Sequence, residues 1–245
     1  MFSFLKKKPV LQDLIPDGYI DIHSHLLPGI DDGSKSIDDT TSLLAGMKKI
    51  GCRQFITTPH VMKSVWDNSK MGIEAKLSET HGLLKAAGND VPMQAAAEYL
   101  LDNNFVELFK NEPLLTLKDN YVLVEMSYIN PPIQLFDILF ELQIAGYRPV
   151  LAHPERYAFY HGGLNDFKKL KNAGCKFQIN LLSTVGYYGM GVFKTADRLL
   201  RYGMIDFVGS DVHHEKHISS FSNRVFLEDA KPLQEAIKNN DFFKF

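Results

Sequence analysis

The sequence predicts an α/β protein in which seven strand–helix units close into a barrel. Strand and helix patterns alternate along the chain with few interruptions, which implies parallel strands with helices as crossovers. The length, 245 residues, suits one α/β barrel. Residues of metal-binding type fall at the C-terminal ends of successive strands, and a barrel brings those ends round one mouth. An open doubly wound sheet would explain the alternation equally well. It would, however, spread the strand ends along an edge and keep the first strand far from the seventh.

The elements follow in order. Residues 1–16 read as a leader ending in Pro16-Asp17-Gly18, and 17–245 as one domain without a linker. The first strand, 19–25, carries apolar and β-favouring residues into His23-Ser24-His25. Ser36 or Asp38 caps a helix that Gly51 ends at Ile50. The second strand, 53–58, runs into Pro59-His60, and a loop at 61–69 carries Trp66. A helix to Ala87 stops at Gly88, and 91–99 is read as the third strand from its context, against the helical preference of its alanines. A short helix at 103–110 precedes the fourth strand, 121–126. Pro131-Pro132 is expected to start the next helix, in the position proline tolerates best, and Gly146 to end it. The fifth strand is 148–152, followed by a polar helix at 164–173. The sixth is 176–180, with a helix at 192–202 after a loop rich in Gly and Tyr. The seventh is 206–210, then a mobile polar loop at 214–223 and a final helix at about 228–240.

Composition excludes several functions. Lys plus Arg number 27 against 29 Asp plus Glu, so charge gives no case for a nucleic-acid partner. Cys52 and Cys175 each begin an apolar run and read as reduced core residues of a cytoplasmic protein. No apolar stretch is long enough to span a bilayer, so stable membrane insertion is not expected. At the start, basic residues follow a very short apolar run, the reverse of a signal peptide. Residues 1–8 read as a frayed end, with contact to an anionic membrane surface as the lesser reading.

The chemistry lies at the strand ends. Residues i and i+2 of a strand share a face, so His23 and His25 present two imidazoles side by side, able to pinch one divalent ion. Asp31 and Asp32 lie just beyond. His60 ends strand two, Glu98 strand three and His153 strand five; Glu125 sits late in strand four, and Asp211 and His213 close strand seven. Five of the nine histidines thus occupy equivalent places, roughly one βα repeat apart. Buried, mutually hydrogen-bonded polar residues would explain any single member better than they explain the set. A catalytic ion usually takes three protein ligands, so this many donors imply two or three ions with a bridging carboxylate. Such a cluster holds phosphate oxygens and acidifies bound water, which points to phosphate-ester hydrolysis. Helix N-termini aimed at the same mouth favour an anion.

The stretch Asp-Ile-His-Ser-His-Leu-Leu-Pro-Gly-Ile-Asp-Asp-Gly33, with Thr-Pro-His60, Glu98-Tyr99, Glu125, Leu-Ala-His-Pro-Glu-Arg-Tyr157 and Ser-Asp-Val-His213, resembles the PHP (polymerase and histidinol phosphatase) superfamily. Within it the chain looks like the bacterial tyrosine-protein phosphatases encoded with capsule and exopolysaccharide genes. The likeness runs from about residue 17 to beyond 213. It implies a distorted (β/α)7 TIM-like barrel of the PHP type with a three-metal cluster of manganese, iron or zinc. It assigns His23, His25, Glu98 and Asp211 to a first ion, and Glu98, Glu125 and His153 to a second. Asp32, in preference to Asp31, would hold a third with His60 and His213. Arg156 matches an arginine that grips phosphate or steadies the leaving group. The family often has a further arginine a few residues past the aspartate, where this chain has His214, His217 and, later, Arg224; His217 or Arg224 takes over that role, or the histidines are solvated.

The activity implied is metal-dependent phosphotyrosine hydrolysis by a metal-activated hydroxide, with the tyrosine-rich tail of a bacterial tyrosine kinase as protein partner. Phenolate, with a pKa of about 10, leaves without strong acid catalysis. Thiol chemistry is set aside, since six positions after Cys52 and Cys175 stand Thr58 and Leu181 rather than arginine. Tyr99, Tyr157, Tyr187, Tyr188 and Trp66 are candidates to line a cleft for the substrate ring, Tyr99 and Tyr157 foremost. The competing readings are a phosphatase of histidinol phosphate or another small monoester, a phosphodiesterase or nuclease, and a non-catalytic regulator binding the kinase tail. The oligomeric state is left open.

Overall fold

In the structure, a computed structural model describing residues 7–245, nine short strands occupy seven positions round a ring. The expected frayed start falls mainly on residues 1–6 and lies outside the described residues. β1 is Tyr19–Asp21. The second position holds β2 (Cys52–Thr57) and β3 (His60–Val61), and the third holds β4 (Met93–Ala95) and β5 (Glu98–Leu100). β6 (Tyr121–Glu125), β7 (Arg148–Ala152), β8 (Lys176–Asn180) and β9 (Phe207–Gly209) complete it.

Every ladder is parallel, in the orders β1-β2-β4 and β3-β5-β6-β7-β8-β9. The second position splits at Pro59, which has no N–H to give to a ladder. The two sheets run on into each other through Ala96 N–H donating to Thr57 O (2.9 Å) and Glu98 N–H to Pro59 O (3.1 Å). β9 returns to β1 beyond the ends of both strands. Asp211 N–H donates to His23 O (2.8 Å) and His25 N–H to Val212 O (3.0 Å), with Ser24 bridging Val212 in parallel. The first strand therefore stops at Asp21, short of the expected residue 25, because His23–His25 bend into this closing seam.

Alternation sorts the side chains. Ile20, Ile22, Ile56, Leu123, Val150, Ala152 and Phe207 form one buried cluster inside the ring, while Val122, Val124, Leu151, Phe177, Ile179 and Val208 join the larger core beneath the helices. On β8 the inward residues are amides, Gln178 and Asn180, both fully buried. The N-terminal end of the ring is plugged by the last turn, Asn240–Phe243. Phe243 packs edge-on against Phe207 and Tyr121, and Asn240 Nδ2 donates to Val208 O (2.8 Å) and Ile20 O (3.2 Å).

The crossover helices are α1 (Ile37–Ile50), α2 (Lys70–Ala86), α3 (Asn103–Asn111), α4 (Leu135–Ile144), α5 (Asn165–Asn172) and α6 (Met190–Arg201), with α7 (Glu215–Ser220) and α8 (Lys231–Asn239) closing the chain. Ser36 Oγ accepts from Asp39 N–H to cap α1, and Gly51 ends it at φ 115°. Two further elements differ from the sequence expectation. α4 begins three residues after Pro132, with Leu135 N–H on Pro132 O, because a residue that precedes proline is held extended and Pro131 cannot enter a helix. The stretch 214–223 is no loose loop: α7 lies there, His217 buried within it, and Ile218 seats on α1 where Gly46 leaves room. Leu11 and Ile15 of the leader are buried as well, Leu11 N–H donating to Asn223 O (2.9 Å).

Candidate metal centre

The site is built where β1 gives out. Thr58 N–H donates to Ser24 O (2.7 Å), and Thr57 Oγ1 donates to the same oxygen while accepting from Leu26 N–H, so the end of β2 cradles the His23–His25 bend. The Pro28–Gly33 turn folds back until Ser34 N–H reaches His25 O (3.0 Å). At Gly33 a Cβ would stand 2.3 Å from His25 Cβ, so only glycine lets the turn come that close. The turn separates the two aspartates. Asp31 is buried behind His25, its Oδ2 accepting from Nδ1–H (2.7 Å), which leaves Nε2 facing the mouth. Asp32 stands at the rim, its carboxylate 3.4 Å from His213 Nε2 and 3.5 Å from His60 Nε2.

All nine ligand-type residues converge there. Donor atoms gather in four groups, each within 4.8 Å: His25, Asp32, His60 and His213; His23, Glu98 and His153; His23, His25 and Asp211; His60, Glu98 and Glu125. Two donors on one ion stand at most about 4.4 Å apart, so each group is within a few tenths of an ångström of sharing one. These groups cut across the sets that the resemblance implies: His153 meets Glu98 beside His23, and Glu125 meets His60. His153 and Asp211 take left-handed φ of 35° and 51°, strain that a strand end tolerates when the surroundings hold it.

The protein alone leaves this centre rich in anionic oxygen. Burial pushes the His23 imidazole down, but Glu98 and Asp211 outweigh it and hold it up at about 9. Burial pushes Glu98 up, yet the surrounding imidazoles keep it well below the carboxylate range. Hydrogen bonding from His213 holds Asp32 low, at about 2. Even so, Glu98 Oε1, Glu125 Oε1 and His60 Nδ1 are buried without hydrogen-bond partners among the described residues, the last two only 2.8 Å apart but out of line. Buried polar atoms left unpaired cost free energy, and these belong to the donor groups, so the residues fit divalent cations.

A cavity of about 270 Å³ opens over the centre, lined also by Tyr128, Arg156, Tyr188, His214 and His217. Arg156 Nη1 donates to Asp211 Oδ2 (2.9 Å), and its guanidinium lies 4.8 Å from the Tyr128 ring and 4.4 Å from that of Tyr188. Its neighbour Glu155 points the other way, accepting from Asn180 N–H (2.9 Å) and Ser183 Oγ–H (2.6 Å). Burial, with His214 next, pushes His217 down to about 3. Its Nδ1 accepts from His213 N–H (3.1 Å), which puts the proton on Nε2.

Three other candidates lie elsewhere. Arg224 donates to Lys8 O, tying down the leader. Tyr99 is buried against Phe105, its hydroxyl accepting from Leu115 N–H, and with Trp66 it lines a separate cavity of about 350 Å³ that has no histidine in its wall. Tyr157 is fully buried behind His153, its hydroxyl accepting from Met126 N–H (2.9 Å) and donating to Ala152 O (3.2 Å). Tyr128 carries no local signal in the sequence. Gln178 and Asn180 carry one, since their i, i+2 spacing is the same that His23 and His25 show.

The family model for capsular polysaccharide synthesis proteins, CpsB/CapC, matches residues 19–220. The tyrosine-protein phosphatase YwqE of Bacillus subtilis is 30% identical over 201 residues, covering 80% of this chain and 78% of that one. The tyrosine-protein phosphatase CpsB of Streptococcus pneumoniae is 28% identical over 201 residues, covering 80% and 83%. A crystal structure from work on these two proteins, described as unique metal-dependent tyrosine phosphatases, superposes with a TM-score of 0.76 at 26% identity, over 92% of this chain and 88% of that one. With a shared barrel and a family match that takes in every one of the nine ligand-type residues, this chain belongs to the CpsB/CapC family.

Proposed function

We propose that the chain is a cytoplasmic, metal-dependent protein-tyrosine phosphatase with two or three divalent ions, of manganese, iron or zinc, at the barrel mouth. One observation carries this reading: four donor groups share His23, His25, His60 and Glu98, more than one ion can use. Bound ions supply a water acidified towards neutral pH and positive charge for the phosphoryl oxygens. The chain's own groups do the rest. Arg156, already committed to Asp211 through one nitrogen, has further N–H groups for a phosphate oxygen. His217, which lines the same cavity, offers a neutral Nε2–H. The Tyr128 and Tyr188 rings beside the guanidinium give the substrate's phenyl ring a surface.

Thiol catalysis finds no support: both cysteines are buried, and burial pushes the Cys175 thiol up to about 12. Two reduced cysteines suit a cytoplasmic protein, and no helix among the described residues is long and apolar enough to cross a membrane. Asp32 and Tyr128 stand half exposed at the rim, which suits a tyrosine presented on a protein, and we take the tyrosine-rich tail of a bacterial kinase as that protein. A non-catalytic regulator would not need all nine ligand-type residues in one pocket. The test compares a phosphotyrosyl peptide with histidinol phosphate on manganese-loaded protein. The peptide is expected to lead in kcat/KM by about a hundredfold or more. A preference for histidinol phosphate would replace this reading with that of a metabolite phosphatase.

A further inference from the structure

β8 contributes no donor to the four groups, yet its two inward residues touch the centre. Their hydrogen bonds run in one direction. The Asp211 carboxylate can only accept, so Asn180 must turn its Nδ2–H towards Oδ2 (2.6 Å). Asn180 Oδ1 is then free to accept, and does so from Gln178 Nε2–H (3.1 Å), whose other hydrogen goes to Ile179 O (2.7 Å). Gln178 Oε1 is thereby left as an acceptor, 2.6 Å from His23 Nδ1. His23 must carry a proton on Nδ1, and Nε2 is the nitrogen left facing Glu98 and Asp211, 3.2 and 3.3 Å away. Both amides are fully buried, so water cannot substitute at either link.

We propose that Gln178 and Asn180 form an amide relay that fixes the metal-binding nitrogen of His23 and the orientation of the Asp211 carboxylate. Asp211 Oδ2 is used up by Asn180 and Arg156, which reserves Oδ1 for the mouth. One end of the relay is threaded past β9 only because residue 209 has no side chain: a Cβ there would lie 2.6 Å from His23 Cβ and 2.8 Å from Gln178 Nε2. His25 is set by a charged partner, Asp31, whereas His23 is set by neutral amides and so keeps its orientation without adding charge. If the amides merely satisfied each other, apolar replacements of similar shape would change stability and leave metal affinity alone.

The relay rests on the metal-dependent reading, and the experiment separates the two. Metal affinity is measured by competition with a chromophoric chelator for the parent, Gln178→Met, Asn180→Leu and the double variant, with circular dichroism melts of the metal-free proteins. Each single change is expected to weaken the tightest-bound ion by roughly 10- to 100-fold, the usual effect of losing a ligand's outer partner. The double variant should be no more than about threefold worse than the worse single, since either cut breaks the same chain. Affinities within about threefold of the parent, or losses that multiply, overturn the relay. A parent that takes up no metal overturns the metal-dependent reading instead. Should one variant not fold, the other cuts the relay from its opposite end.

Discussion

Arg156 is held by geometry that limits what it can do. Two tyrosine rings flank the guanidinium and Asp211 takes one nitrogen, so the group is held in the wall of the cavity with little rotamer freedom to lose. Arg156→Ala is expected to lower kcat/KM for a phosphotyrosyl peptide by about 30- to 1000-fold, or about 2–4 kcal/mol, with metal content unchanged and only partial recovery in Arg156→Lys. A loss below about threefold would reduce the residue to a structural partner of Asp211. At this scale the residues that converge were legible because most of them stand at or just past a strand end, and Asp32 in the turn that follows one, and such places can be read from local pattern. The partners were not. Arg224 reads as a candidate for the further arginine until the fold ties it to Lys8 O, and Tyr99 reads as a mouth residue until its hydroxyl is seen on Leu115 N–H. Such contacts depend on chain segments far apart in sequence.

At the scale of elements, the Pro28–Gly33 turn has one consequence that can be measured. Gly33→Ala would drive a Cβ into His25 Cβ and carbonyl oxygen, whereas at Gly82, exposed in α2, a Cβ would meet no atom of the described residues within 4 Å. Gly33→Ala is expected to cost about 1–3 kcal/mol of stability and most of the bound metal. Gly82→Ala should raise stability by about 0.5–1 kcal/mol and leave metal content alone. Thermal melts with elemental analysis check both, and equal outcomes would mean that the turn does not hold His25. The elements themselves were largely legible: β7 and β8 fall where alternation and flanking glycines put them, and α1 begins at its Ser36 cap. The misplacements have physical causes. Pro131 cannot enter a helix, β1 ends where the closing seam begins, and α7 forms because His217 and Ile218 find a core that local sequence does not reveal.

For the whole molecule, the ring matters because its seam and its site coincide. β9 and β1 meet through Ser24, His25 and Val212, beyond the regular strands, and that meeting brings Asp211 and His213 to the two first histidines. An open sheet with the same elements would hold the same residues and no such centre. On the proposed function, the converged residues hold the ions that phosphate hydrolysis requires. The most direct measurement is elemental analysis of the purified protein, paired with phosphotyrosyl-peptide turnover before chelation, after it, and after manganese is restored. Two or three transition-metal ions per chain are expected, with turnover abolished by chelation and regained with metal. Undiminished turnover in protein from which no metal can be detected would contradict it.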